Sequence, residues 1–135
     1  RPGITVTGTV ADVRPYVAHA ALSVAPLRVA RGIQNKVLEA MAMAKAVLLS
    51  PQALEGIDAA VGHELIVAQD APQWIAAAGA ALAGPPAALE ALGRAARARV
   101  EAAYSWDARL APLDRMIEAP AAHAGAVANP DWSPA

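Results

Sequence analysis

Short unbroken apolar runs alternate along the chain with longer stretches in which apolar residues recur at a helical period, and this alternation predicts the elements. Ile4-Thr5-Val6-Thr7 is a β-prone run ended by Gly8, and Asp12 stands where a helix cap belongs, ahead of a short helix over 13–19. Residues 22–26 form a second apolar run, closed by Pro26, and a loop over 27–32 follows. Over 33–44, Ile33, Val37, Met41 and Ala44 recur at spacings of four, four and three, which predicts one helical stripe packed on the sheet. Ala46-Val47-Leu48-Leu49-Ser50 is a continuous apolar run, the pattern of a strand buried on both faces of a parallel sheet.

After Pro51 the chain turns polar, with a short helix predicted over 52–57, and residues 64–68 read as a fourth strand. Residues 71–83 predict a helix with Pro72 in its first turn, broken by Gly84-Pro85-Pro86. Residues 87–103 predict another, with Leu89, Leu92, Ala96 and Val100 as its apolar stripe and Arg94, Arg97 and Glu101 on the wet side. Ser105 caps a last helix in which Trp106, Leu110, Leu113 and Ile117 align. Residues 119–135 show no periodicity and read as a flexible Ala/Pro-rich tail. Strands that alternate with helices imply parallel pairing through right-handed crossovers. The expected fold class is therefore α/β, a doubly wound, Rossmann-like parallel sheet with helices on both faces, occupying residues 1–118.

Composition narrows this picture. The 135 residues suffice for one domain, and 38 of them are alanine while none is phenylalanine. The interior is thus built from Val, Leu, Ile and closely approaching Ala, which suits helices lying tightly on a sheet. Eleven basic residues against twelve acidic give a net charge of −1, which excludes nucleic-acid binding carried mainly by counterion release. The absence of cysteine removes disulfides, thiolate chemistry and Cys-based metal sites. The first residues do not read as a signal peptide, and no run of about 18 strongly apolar residues occurs. With no initiator Met and a strand predicted almost at once, the chain reads as a piece of a longer polypeptide.

Polar residues fall where chemistry wants them in the loop after the second predicted strand and the helix that follows. A helix start at Gly32-Ile33-Gln34-Asn35 offers unpaired N–H groups and the positive end of a dipole beyond the strand ends, which suits phosphate. Asn35 and Glu39 share a helix face opposite Val37 and Met41 and are expected to look into the crevice. A carboxylate one turn inside a phosphate-binding helix is a natural acceptor for two ribose hydroxyls. A glutamate inside a helix is also ordinarily a solvated residue, and the residues alone leave both readings open.

Gly32-Ile33-Gln34-Asn35-Lys36-Val37-Leu38-Glu39-Ala40-Met41-Ala42 resembles the signature helix of retaining, family 4 glycosyltransferases with the GT-B fold. Val6-Thr7-Gly8-Thr9-Val10-Ala11-Asp12 resembles that family's strand and turn, and Tyr104-Ser105-Trp106 resembles the Phe-Ser-Trp that opens its closing helix. The block from Arg31 to Met43 is similar to sugar transferases of bacterial exopolysaccharide clusters. The resemblance implies an incomplete C-terminal, donor-binding domain, truncated on its N-terminal side. The implied reaction moves a sugar from a nucleotide-diphosphate sugar to a glycan or lipid-linked acceptor, with retention and without a metal or other cofactor. Glu39 would hold the ribose hydroxyls, and Asn35 with the backbone around Gly32, Ile33, Gln34 and Lys36 would lie against the diphosphate. The family's first acid of Glu-x7-Glu falls on Arg31, which cannot accept hydrogen bonds from a sugar; Arg31 and Arg28 are candidates for contact with diphosphate or sugar. Ala44 and Ala46 stand where the family has glycine and proline.

As implied partners follow the nucleotide sugar, an acceptor met through the absent N-terminal domain, and self-association through an open sheet edge. The expected location is cytoplasmic, or peripheral at the inner face of the membrane in the full-length protein. The fragment is expected to be inactive alone, and the alternative is a non-catalytic Rossmann-like binding module. Other chemistry finds little footing. His19, His63 and His123 are too far apart to predict a metal site. Ser23 and Ser50 lack a nucleophile elbow, and the glycines form no Gly-x-Gly-x-x-Gly or Walker loop. Arg94, Arg97 and Arg99 read as a solvated helix face, and Trp74 and Trp106 as core-facing residues. Glu55 and Gly56 border the crevice or form a plain loop.

Overall fold

The computed structural model describes residues 2–118; the expected tail over 119–135, with His123 and Trp132, lies outside the described residues. The elements run α1 (Arg14–His19), β1 (Ser23–Ala25), α2 (Asn35–Ala42), β2 (Val47–Leu49), α3 (Pro51–Leu54), β3 (Ile66–Val67), α4 (Ala71–Ala83), α5 (Pro86–Tyr104) and α6 (Trp106–Glu118). The three strands form one parallel sheet in the order β1-β2-β3, with Val24 opposite Leu48 and Leu48 opposite Ile66. This is the Rossmann-like α/β arrangement that the alternating pattern implies. The central strand β2 is buried along its whole length, as its unbroken apolar run requires.

One expected strand is absent. Residues 4–8 are irregular, with Ile4 66% and Val6 88% exposed. β-propensity makes a strand only where another strand takes up its N–H and C=O groups, and no described strand pairs with this run. The described sheet therefore has three strands, not four.

The core gathers Val37, Ala40 and Met41 of α2 with Val47 and Leu49 of β2, Leu65 and Ala96. Burying each of its larger side chains contributes about 1.5–3 kcal/mol. α2 starts at Asn35, two residues later than expected, and Ile33 is 47% exposed, so it does not belong to the sheet-facing stripe. At its other end the Lys45 N–H bonds the Ala40 carbonyl at 3.0 Å and the Ala44 N–H bonds the Met41 carbonyl at 2.9 Å. This Schellman ending needs a left-handed residue, and Ala44 supplies it at φ 55°.

α5 lies against α2 with Gly93 and Ala96 buried. α4 is capped by Asp70, whose carboxylate accepts the Gln73 N–H at 2.9 Å. The Ser105 hydroxyl likewise accepts the Ala108 N–H at the start of α6. The apolar stripe of α6 is not buried as its spacing suggests. Trp106 is 81% and Ile117 72% exposed, and Leu110 and Leu113 are exposed beside them. Periodicity shows that a helix has an apolar face, not that this chain covers it. Arg99 corrects the reading of α5 as wholly solvated on its basic side, because it reaches back to Glu64 near the third strand.

Candidate functional site

Ligands in parallel α/β sheets sit beyond the carboxyl ends of the strands. There the described structure has a hollow of about 520 Å³ lined by Arg28, Ser50, Gln52, Gln69, Asp70 and Trp74, among others. Each wall follows from chain direction: Arg28 comes from the loop after β1, Ser50 and Gln52 from the turn after β2, and Gln69 and Asp70 from the end of β3. Ser50 is 4% exposed and joins two of these walls. Its hydroxyl donates to the Leu27 carbonyl at 2.7 Å and accepts the Ala53 N–H at 3.3 Å, capping α3. Gln69 donates its N–H to the Gln73 side chain at 2.8 Å, which fixes the third wall to the first turn of α4.

Of the expected site residues, Arg28 lines this hollow. Glu39, Asn35 and Lys36 are exposed on α2 and are not among its walls. Glu39 does stand on the face opposite buried Val37 and Met41, but four residues into a helix is about 6 Å from its start. The loop after β1 thus carries its helix beside the hollow and not over it.

The start of α2 nevertheless has backbone donors without partners among the described residues. Gln34, at the cap position, turns its amide away and donates to the carbonyls of Arg31 at 3.3 Å and Gly32 at 3.1 Å. Among the described residues no acceptor takes the N–H groups of Asn35 and Lys36, and the first turn contains no acidic residue. Arg28 and Arg31, in the loop before this helix, and Lys36, in its first turn, are exposed, and none is in an ion pair among the described residues. Gly32, at φ 65°, makes the turn just before the helix. At this end Lys36 adds to the positive pole of the helix dipole, with no acid in the first turn to offset it.

Sequence reasoning missed two features. Trp74 is half-buried at the wall of the hollow and not simply a core residue, and Trp106 is exposed, not core-facing. The rule that loops after strand ends make the site picks out Ser50, Gln52, Gln69 and Asp70 once the strands are known, so the signal was present as position and not as motif. The second feature is an ion pair: Arg99 donates from Nε to both carboxylate oxygens of Glu64 at 3.1 and 3.0 Å, and Glu64 is 7% exposed. Burial pushes the Glu64 carboxyl up, but the Ala60 N–H and the Arg99 guanidinium outweigh it and hold the group below its ordinary range. Among the described residues no group of three His, Asp or Glu side chains is placed to hold a metal.

No curated protein and no solved structure matches the chain. Residues 1–84 match the family model described as glycosyl transferases group 1, a span that takes in β1, the loop with Arg28 and Arg31, α2, β2, β3 and α4. With well over half its length in that match and a parallel sheet of the matching kind, the chain belongs to the group 1 glycosyltransferases.

Proposed function

We propose that this chain is the donor-binding part of a sugar transferase, and that the start of α2 receives the diphosphate of a nucleotide-diphosphate sugar. One observation carries the reading: the N–H groups of Asn35 and Lys36 have no acceptor among the described residues, and no acid stands in the first turn of this helix, whose approach along the chain carries Arg28, Arg31 and Lys36. Such an arrangement favours a ligand with two negative charges over a neutral sugar. In this reading Glu39, one turn further along the exposed face, accepts from ribose hydroxyls, and the hollow at the strand ends, about 520 Å³, has the size of a sugar or base.

The finer assignments rest on resemblance: retention at the anomeric carbon, chemistry without a metal, a glycan or lipid-linked acceptor, a role in exopolysaccharide assembly and a cytoplasmic setting. The outer edges of β1 and β3 have no strand partner among the described residues, which supports self-association. A strictly monomeric mass by light scattering removes that part. Membership in a transferase family does not favour the alternative of a non-catalytic module.

The test is a titration of the chain with UDP, GDP and ADP while the amide resonances of residues 32–39 are followed. Binding by one of the three with shifts confined to that segment and the nearby strand ends is expected, at a Kd near millimolar, or about 4 kcal/mol. Shifts centred elsewhere, or none at high millimolar nucleotide, defeat the reading.

A further inference from the structure

Residues 55–65 connect α3 to β3, and two side chains of α5 hold them in place. The Tyr104 hydroxyl accepts the Asp58 N–H at 2.6 Å across 46 residues of chain. Arg99 grips both oxygens of Glu64, and its second nitrogen lies 3.7 Å from the Asp58 carboxylate. Glu64 in turn accepts the Ala60 N–H at 2.7 Å, closing the segment on itself. Next to these anchors Ile57 is buried in the core, and Gly56 stands in the left-handed region at φ 82°.

Gly56 backs directly onto the turn that opens α2. A Cβ built on it would lie 3.5 Å from Ile33 Cγ1 and 3.6 Å from both the Gly32 carbonyl carbon and the Ile33 nitrogen. The turn has little else behind it, since Gly32 faces open space and Ile33 is half exposed. A line of contacts thus runs from α5 through residues 55–64 to the Gly32-Ile33 turn that precedes α2. In the family pattern that the chain resembles, phenylalanine stands where Tyr104 is, so the hydroxyl makes a bond that the pattern lacks.

We propose that Tyr104 and Arg99 are positioning residues for the donor diphosphate: through residues 55–64 they set where the Gly32-Ile33 turn stands. This rests on the donor reading above. Neither side chain touches the donor. Their effect arises because hydrogen bonds from backbone N–H groups to phosphate weaken steeply with distance and angle. A clamp that served stability alone would change the melting temperature and leave affinity untouched.

The experiment compares the unsubstituted chain with Tyr104→Phe and Arg99→Lys. It reads the amide resonances of residues 32–36 without ligand, the affinity for UDP, GDP and ADP, and the melting temperature. Tyr104→Phe is expected to move the Gly32 and Ile33 resonances and to weaken binding about three- to tenfold while the protein stays folded. Arg99→Lys, which loses the forked contact, does the same to a greater degree. Folded variants that bind as tightly as the unsubstituted chain, or leave those two resonances in place, overturn the proposal. If Arg99→Lys does not fold, Tyr104→Phe decides alone. If the unsubstituted chain binds none of the three nucleotides, the donor reading itself falls and takes this role with it.

Discussion

The α-carbon of Gly93 in α5 rests on the carbonyl group of Ala44, the left-handed residue two positions past the end of α2. A Cβ on Gly93 would fall 2.6 Å from the Ala44 carbonyl carbon and closer still to its oxygen. These are backbone atoms with no rotamer to move aside. A glycine inside a helix costs about 1 kcal/mol against alanine, so its placement here trades helix propensity for close approach of two helices. Gly93→Ala recovers that propensity but must push α5 off α2, with an overpacking cost of about 1–3 kcal/mol or more. We expect a net loss near 2 kcal/mol and a melting temperature lower by on the order of 10 °C. A rise in melting temperature would show that the two helices separate freely.

Ala44 itself offers the opposite change. It sits at φ 55°, where an L-residue costs about 1–2 kcal/mol and glycine does not. Ala44→Gly should stabilise the chain by about 0.5–1 kcal/mol after the greater freedom of glycine in the unfolded state is subtracted. Denaturant unfolding should show a higher midpoint with the same slope. An unchanged or lower midpoint would mean that Ala44 relaxes out of the left-handed region in solution.

These two positions show what the sequence makes legible. β2 and α2 were plain because Val47-Leu48-Leu49 and the Val37, Met41 spacing are set by local burial. α4 was legible to the residue, since Pro72 marks its first turn and Gly84-Pro85-Pro86 its end. The strand expected at 4–8 failed because pairing is a non-local property that Ile4 and Val6 cannot encode by themselves. The stripe of α6 failed for a related reason: Trp106 and Ile117 say which face is apolar but not what covers it. Gly93 carried no visible message, because its meaning lies in the backbone of Ala44, 49 positions earlier.

At the site the division is similar. Arg28, Arg31, Gly32 and Lys36 stand close in sequence, so their place in the loop after β1 and the first turn of α2 was readable. The hollow was not, because Ser50, Gln69 and Trp74 come from separate loops that only the sheet brings together. Arg99 looked like one of several solvated arginines, and only its distance to Glu64 sets it apart.

Glu64 gives a prediction in pH. Its folded-state pKa lies below the ordinary 4.5, so its contribution is fully present above that value and is lost as pH falls through the lowered folded value. At neutral pH, Glu64→Gln should lower the melting temperature by on the order of 5–10 °C, because Arg99 loses the nearer and more buried of its two carboxylate partners. Below pH 4.5 the gap between the two proteins should close as the carboxylate takes up its proton and comes to resemble the amide. A constant gap from neutral to acid pH would show that the difference is one of packing and not of charge.

Charge and hydrogen bonding at the start of α2 separate in their response to ligand and salt. Arg31→Glu reverses one of three cations, so it should weaken binding of a nucleoside diphosphate about five- to tenfold and leave the uncharged nucleoside unaffected. Raising salt from about 0.05 to 0.5 M should erode the same difference, since exposed charges are screened within about 10 Å at 0.1 M. Glu39→Ala should act differently. In the proposed role its carboxylate accepts from ribose, which nucleoside and nucleoside diphosphate share, so both should weaken by similar factors and with little dependence on salt. Isothermal titration of the two variants with a nucleoside and its diphosphate at two salt concentrations reads all of these at once. Tighter binding of a sugar nucleotide to Arg31→Glu would mean that position 31 faces the sugar and works better as an acceptor, which would take Arg31 out of the diphosphate site.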